Sequence, residues 1–131
     1  MPDAWKAIGN GTSEVATQFL FAACVKHSRL LGDFMDQVVR EHHRTFQETL
    51  TDKDWDKFVD LCKEVDPSVA AWKPSTTKKI RQIIFRILAE AKYVDSTRSR
   101  KLLPVTIVPE VREYLIDHGE EYTLRCMQVT Q

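Results

Sequence analysis

Apolar and polar residues recur along the chain with the period of amphipathic helices. The pattern predicts a first helix from Thr12 or Ser13 to about Lys26, with the hydroxyl side chains available as N-caps. A second helix is predicted from about Arg29 to Phe46, because large apolar residues repeat on one face and charged residues on the other. The first third of the chain is therefore predicted to be helical.

The middle of the chain carries further helix-start signals. Thr51, which is followed by acidic residues, predicts an N-cap and a third helix. Asp66-Pro67 predicts a short fourth helix, because proline is favoured at the first helical position. Pro74 prevents that helix from continuing smoothly, so Ser75 is predicted to cap a fifth helix over residues 76–91.

The fifth helix is predicted to be amphipathic. Its apolar stripe consists of Ile80, Ile83, Ile84, Ile87, Leu88 and Ala91. Phe85 falls near the polar side of this pattern and is predicted to pack against a part of the protein outside it. Lys92 stands where glycine is expected after a helix, so it either adopts a left-handed conformation or lets the helix continue.

The last part of the chain begins with a segment that lacks helical periodicity. Residues 93–108 contain two β-branched stretches on either side of a polar turn, which favours a hairpin. Pro109 predicts a sixth helix over residues 110–117, and Gly119 is predicted to end it. The tail, residues 120–131, is predicted to add one more helical turn or a strand-like end.

The order of these elements indicates a fold class. Helices over residues 54–64, 67–72 and 76–91, followed by a hairpin over 93–107, have the order of a winged helix-turn-helix. We predict a mainly α fold, a compact helical bundle with a winged helix-turn-helix-like C-terminal half. A chain of 131 residues suits a single domain. Within it, residues 1–50 form the helical N-terminal part and residues 51–131 the winged helix-turn-helix-like part.

Composition places the protein in the cytoplasm. No apolar run approaches the ~18 residues that a membrane span needs, and the first ten residues lack the basic and apolar regions of a signal peptide. Cys24, Cys62 and Cys126 are far apart and lie at apolar-periodic positions. They are therefore predicted to be reduced core thiols in a reducing compartment.

A net charge of zero hides a strongly basic block. Residues 73–101 contain 9 basic and 2 acidic side chains, whereas residues 1–72 contain 8 basic and 12 acidic ones. A local field of this kind favours a polyanionic partner. From charge alone, a solvated basic face with no ligand is as consistent with the sequence as a surface that binds a polyanion.

Helix 76–91 combines an apolar stripe with groups that can bind DNA. The predicted groove-facing side chains are Lys78, Lys79, Gln82 and Arg86. Glutamine suits adenine, while arginine and lysine suit guanine or phosphate. At the helix start, Lys73 and the free N–H groups of Ser75, Thr76 and Thr77 predict a phosphate site. The alternative is an amphipathic core helix whose basic face only contacts water.

The hairpin after this helix extends the basic surface. Arg98, Arg100 and Lys101 lie at its predicted tip. A wing carries such residues to touch phosphate or the minor groove beside the recognition helix. The alternative is a mobile, soluble loop.

Other kinds of site have little support. His42 and His43 are adjacent, so on a helix they diverge by about 100° and do not chelate one ion. No Cys-x-x-Cys pair, nucleophile elbow, phosphate-binding glycine loop or paired-carboxylate signature occurs. We predict no catalytic residue, no metal and no cofactor, and hence a protein that is not an enzyme.

Several ordered motifs resemble one known family, the BrxA proteins of bacteriophage-exclusion (BREX) defence islands. These motifs are His27-Ser-Arg-Leu-Leu-Gly-Asp-Phe34, Asp54-Trp-Asp-Lys-Phe58, Trp72-Lys-Pro-Ser-Thr76 with Lys79-Ile-Arg-Gln82, Ile87-Leu-Ala-Glu-Ala91, Leu103-Pro-Val-Thr-Ile-Val-Pro-Glu110 and Leu124-Arg-Cys-Met-Gln128. The resemblance runs from about residue 13 to 129. It implies a nearly all-helical fold with helix-turn-helix elements and double-stranded DNA binding in phage resistance. An older family label, inner-membrane protein, disagrees with the hydropathy.

The family usually carries a further helical region before the part present here, so we expect a shorter or truncated form. The resemblance transfers no catalytic residue. The function predicted is a non-enzymatic double-stranded DNA-binding accessory protein of a BREX system, with other defence proteins as possible partners and no membrane. The alternative is a protein-interaction adaptor, which would dock a defence partner on the apolar face left by the absent region. A nucleic-acid enzyme is the remote third reading.

Overall fold

The computed structural model describes residues 13–130, and these are mainly helical, as predicted. The helices are α1 (Ser13–His27), α2 (Arg29–Phe34), a π-helical segment (Met35–Val39), α3 (Arg40–Arg44), α4 (Asp52–Val65), α5 (Pro67–Ala70), α6 (Pro74–Glu90), α7 (Pro109–Asp117) and α8 (Glu121–Met127). The described chain forms two compact units, residues 13–40 with 104–130, and residues 41–103. The single-domain organisation stays a prediction.

In the first unit, one buried amide joins α1 to an extended segment. The Gln18 side chain donates to the Thr106 carbonyl at 2.9 Å and accepts from the Val108 N–H at 2.9 Å. Both ends of a buried polar group are thus satisfied. The core around it is apolar, with Phe34, Met35, Val111 and Cys126 almost inaccessible.

Helices α2 and α8 pack against each other in the first unit. The Tyr122 hydroxyl donates to the Asp33 carboxylate, and a Cβ on Gly32 would lie 2.9 Å from the Tyr122 oxygen. Glycine at position 32 therefore permits the close approach of α8 to α2. Arg40 adds a second link, donating to the Gln128 carbonyl at 3.1 Å. The π-helical segment lies between these two links along the chain.

In the second unit α4 and α5 begin as predicted. Thr51 and Asp54 form a reciprocal capping box at the start of α4, and the Asp66 side chain caps α5 at the Ser68 N–H. The indole N–H of Trp55 donates to the Thr77 carbonyl at 3.1 Å, which ties α4 to α6. Trp55, Phe58 and Val59 form the buried face of α4.

Three extended segments of the second unit pair in antiparallel fashion. Residue 49 pairs with 101, and residue 94 pairs with 102. The Leu50 N–H donates to the Arg100 carbonyl at 3.0 Å, and the Leu103 N–H to the Tyr93 carbonyl at 2.9 Å. The segment around residues 100–103 therefore lies between residues 48–50 and 93–95, which confirms that this region is not helical.

Three helices end at residues with positive φ. Phe46 (φ 60°), Lys92 (φ 69°) and Gly119 (φ 68°) follow α3, α6 and α7. At Lys92 the next N–H, of Tyr93, donates to the Leu88 carbonyl at 2.9 Å, which is a Schellman arrangement. Lys92 thus takes the left-handed alternative, at the cost that a Cβ incurs there. Gly119 ends α7 as predicted, and the tail takes the helical alternative as α8.

Candidate nucleic-acid interface

Helix α6 exposes a continuous polar and basic face. After Pro74, its exposed residues are Ser75, Lys78, Lys79, Gln82, Ile83, Arg86 and Glu90. At 100° per residue these side chains cover an arc of about 140°. The four predicted groove-facing residues all lie on this arc.

The predicted apolar stripe of α6 is wrong at one position. Ile83, expected in the core, is 48% exposed, whereas Phe85, predicted to pack outside the stripe, is 2% exposed. The Arg100 guanidinium, from a distant turn, lies over the Phe85 ring at 4.4 Å, so Phe85 packs against a part of the protein outside the stripe, as predicted. Phe85, Ile84 and Leu88 are buried on α6, and Ile83 faces outward.

The start of α6 also differs from the prediction. Ser75 is not the cap, since the helix begins at Pro74 and Lys73 is the N-cap with no side-chain hydrogen bond. The first intrahelical bond runs from the Thr77 N–H to the Lys73 carbonyl at 3.1 Å. The N–H groups of Ser75 and Thr76 precede that bond, so neither has an intrahelical acceptor. Lys73 and Ser75 are exposed beside them.

Thr77 is placed differently from its two neighbours. It is half-buried, and its carbonyl accepts the Trp55 indole N–H. Its hydroxyl lies 3.4 Å from the Lys73 carbonyl, within the first turn of the helix. The contacts of Thr77 therefore join α6 to α4.

The polar turn after α6 is ordered by side-chain hydrogen bonds. The Asp95 carboxylate accepts from the Ser99 hydroxyl at 2.7 Å and from the Lys101 N–H at 2.9 Å. These bonds hold the pKa of Asp95 below its usual range. The Ser99 N–H also donates to the Ser96 hydroxyl at 3.1 Å. Arg98, within this turn, is exposed.

Arg100 and Arg81 converge on one carboxylate. Arg100 pairs with Asp52, and the Arg81 Nε lies 3.4 Å from the same Asp52 oxygen. The Arg100 side chain is only 23% exposed and its Nε donates to the Thr97 carbonyl at 3.0 Å. Asp52 thus links α4 to both α6 and the turn. Sequence reasoning missed this link, because Asp52 had the ordinary features of a first-turn acid.

The basic block therefore divides into two groups. Arg81 and Arg100 are largely covered and paired with Asp52. The exposed members are Lys73, Lys78, Lys79, Arg86, Lys92, Arg98 and Lys101. Arg86 also pairs with Glu90 at 3.3 Å, but both side chains are highly exposed and the pair is weak. Seven exposed cations thus lie on α6, its two ends and the adjoining turn.

Acidic side chains border this basic surface on one side. A cleft of about 340 Å³ lies between α4 and α6. It is lined by Asp56, Val59, Asp60, Lys63, Trp72, Pro74, Thr77, Lys78 and Arg81. Two carboxylates and three cations line this cleft, so its charges largely balance, whereas the exposed arc and the start of α6 are more clearly basic.

A second cleft, in the first unit, is mainly apolar. It has a volume of about 450 Å³ and is lined by Phe19, Ala22, Ala23, Lys26, Tyr114, Leu115, His118, Glu120 and Thr123. Tyr114 stacks on His118 at 4.0 Å, and Lys26 pairs with Glu120 at 2.7 Å. On α1, Leu20 is 70% exposed.

Residues 13–130 contain neither a candidate metal site nor a candidate membrane span. No group of three or more His, Cys, Asp or Glu side chains in this range is arranged to hold a metal ion. The cysteines are free thiols, with Cys126 buried and the other two half-buried. None of the helices in the same range has the length and apolar character of a transmembrane span.

Comparison with known proteins gives a consistent picture. The sequence model described as BrxA matches residues 2–119. The chain is 40% identical over 129 residues to a BREX protein BrxA of Paramagnetospirillum magneticum, which covers 98% of this chain and 65% of that protein. It is 34% identical over 125 residues to a BREX protein BrxA of Escherichia coli O9:H4, covering 95% of this chain and 59% of that one. The chain therefore spans less than two thirds of the length of these relatives.

A solved structure is also similar. It is described as an uncharacterized protein from Magnetospirillum magneticum, and it matches with a TM-score of 0.87 at 40% sequence identity. The match covers 98% of this chain and 68% of the solved one.

Proposed function

The chain belongs to the BrxA family of BREX phage-defence proteins, and we propose that it is a non-enzymatic accessory protein that binds double-stranded DNA. The observation that carries the proposal is the exposed basic arc of α6, which adjoins a helix start without a side-chain cap. Unsatisfied N–H groups and the positive end of the helix dipole attract phosphate. Lysine and arginine beside them add electrostatic attraction to the phosphates of DNA.

The order of elements in the second unit supports a winged helix-turn-helix reading. Residues 48–50 precede α4, α5 and α6, and residues 93–95 and 100–103 follow them with mutual pairing. In such a module the last of the helices lies in the major groove and the hairpin lies beside it. On this reading α6 is the recognition helix and the turn at residues 96–100 is the wing.

Each group of exposed residues then has a role. Lys73, with the N–H groups of Ser75 and Thr76, holds a phosphate at the start of α6. The groove-facing residues are Lys78, Lys79, Gln82 and Arg86. Arg98 and Lys101 contact phosphate or the minor groove from the wing. Arg100 fixes the position of the wing through its contacts with Asp52 and Phe85. Thr77 fixes the position of α6 through its hydrogen bond with Trp55.

A mobility-shift titration at two salt concentrations tests the proposal. With four to six phosphate contacts, the logarithm of affinity should fall against the logarithm of salt concentration with a slope of about −4 to −5. The proposal would be contradicted if the chain bound the duplex no more tightly than an acidic control protein does. It would also be contradicted if the affinity did not depend on salt concentration. The DNA recovered from the same reactions should be unchanged in length and strandedness, as befits a protein without catalytic activity.

The second candidate function is a protein-interaction adaptor. The observation that favours it is the exposed Leu20 on α1 together with the mainly apolar cleft of the first unit. BREX membership makes other defence proteins the natural partners. In a co-purification with such proteins, Leu20→Asp should abolish capture if the adaptor reading holds and leave DNA affinity unchanged. Both proposed functions imply a cytoplasmic location, where DNA and other defence proteins occur together.

A further inference from the structure

One apolar side chain interrupts the polar face of α6. Ile83 is 48% exposed, whereas Ile84, about 100° away around the helix, is 4% exposed. Among the residues of α6, Ile83 is the one large apolar side chain that is exposed. Isolated exposed apolar residues are common on protein surfaces. Ile83 lies on the arc assigned to DNA, where its side chain can contact bases in the major groove.

The neighbours of Ile83 define what it can contact. Lys79 lies one turn before it, Arg86 lies three residues after it, and both are exposed. Gln82, the preceding residue, is exposed too. A duplex that Lys79 and Arg86 hold by its phosphates or guanines brings its major groove against Ile83. The apolar feature of that groove is the 5-methyl group of thymine.

We propose that Ile83 is a specificity-determining residue that packs against thymine 5-methyl groups and directs the protein to A·T-containing major-groove sites. The inference rests on the proposed function, since it requires α6 to enter the groove. Gln82 reinforces the preference, because a glutamine amide can pair with both N6 and N7 of adenine. Contacts of the cations with phosphate supply affinity without distinguishing bases, while Ile83 and Gln82 select A·T pairs.

Replacement of thymine by uracil isolates this contact. The two duplexes carry the same phosphates and the same hydrogen-bonding groups, and differ in the methyl groups of thymine. We expect the wild-type chain to bind an A·T-rich duplex about four-fold more tightly than its uracil counterpart for each methyl group buried, equivalent to ~0.8 kcal/mol. This ratio should be the same at two salt concentrations, because the contact is apolar.

The matched variants are Ile83→Ala and Leu61→Ala. Leu61 lies on α4, outside the assigned surface, and is 59% exposed, so its truncation removes comparable apolar area. Ile83→Ala should bind the thymine and uracil duplexes equally, and Leu61→Ala should retain the wild-type ratio. Circular dichroism melts of both variants should match the wild type, since neither side chain is buried.

The outcomes separate this inference from the proposed function. Salt-dependent DNA binding with equal affinity for thymine and uracil duplexes would overturn the inference and leave DNA binding intact. A thymine preference that persists in Ile83→Ala would assign the methyl contact to another residue and also overturn it. A failure of the wild-type chain to bind either duplex would overturn the proposed function and this inference together.

Discussion

Reversal of two charges on α6 is the most direct perturbation of the proposed interface. The variant is Lys78→Glu with Arg86→Glu. Both side chains are exposed, about 12 Å apart along the helix and about 80° apart around it. They therefore reach different phosphates. Neither lies against the buried Ile84 and Leu88, so the fold should lose about 0.5 kcal/mol or less per site.

The size of the effect follows from counterion release. A slope of about −0.9 per phosphate corresponds to about 1 kcal/mol per contact at 0.15 M salt. Loss of two contacts then weakens binding about 30-fold, and the two new repulsions add to this. At Arg86 the pair with Glu90 is lost as well, but an exposed pair of this kind contributes only a few tenths of a kcal/mol. We expect a decrease in DNA affinity of at least ten-fold.

The assay is a mobility-shift titration of the variant against a matched control. Lys53→Glu with Lys57→Glu reverses two exposed charges on the acidic helix α4 and should change DNA affinity by less than two-fold. Lys78→Gln with Arg86→Gln, which removes the cations without adding repulsion, should give an intermediate loss. Equal weakening by the α4 and α6 pairs, or no weakening by either, would show that α6 is not the recognition helix. The protein-interaction adaptor would then be the better-supported function.

Four further predictions concern stability. Lys92→Gly should raise the free energy of unfolding by about 1 kcal/mol in a urea titration, because glycine relieves the positive φ. Gly32→Ala should lower the free energy of unfolding by about 1–3 kcal/mol, because the added Cβ collides with Tyr122. In a Tyr122→Ala background the same substitution should lose this effect. Burial, together with the charge of the neighbouring His42, lowers the pKa of His43 from 6.5, so the folded state resists protonation. The free energy of unfolding should therefore fall as the pH drops below 6.5, and the fall should be smaller in His43→Gln. Neither EDTA nor a reducing agent should shift the melting temperature, because no metal site or disulfide is expected.

Local sequence signals predicted most of the helices and their ends. The capping box at Thr51 and Asp54 and the cap and proline at Asp66-Pro67 need only residues that are close in sequence, and both occur as expected. Gly119 likewise marks the end of a helix by its own conformational freedom. Signals of this kind are carried by a few neighbouring residues, so periodicity and capping rules are enough to find them.

The orientation of α6 depends on contacts that no local window contains. Arg100, fifteen residues after Phe85, covers its ring and is itself held by Asp52. A count of helical periodicity includes neither contact, and it ignores that an aromatic ring buries more area than an isoleucine side chain. The sequence therefore predicted that Lys78, Lys79, Gln82 and Arg86 lie on the polar face of α6 but assigned Ile83 to the core.

The zero net charge of the chain shapes how such a site can work. With 19 basic and 19 acidic residues, the protein as a whole exerts no net attraction on DNA at long range. Beyond about one Debye length, ~8 Å at physiological salt, the acidic face of α4 cancels much of the field of α6. Attraction is therefore confined to close approach of the exposed arc, and wrong orientations bring carboxylates toward phosphate. An uneven distribution of charge in a neutral protein thus selects orientation as well as affinity. It also explains why reversing charges on α6 and on α4 should have unequal effects, although the change in net charge is the same.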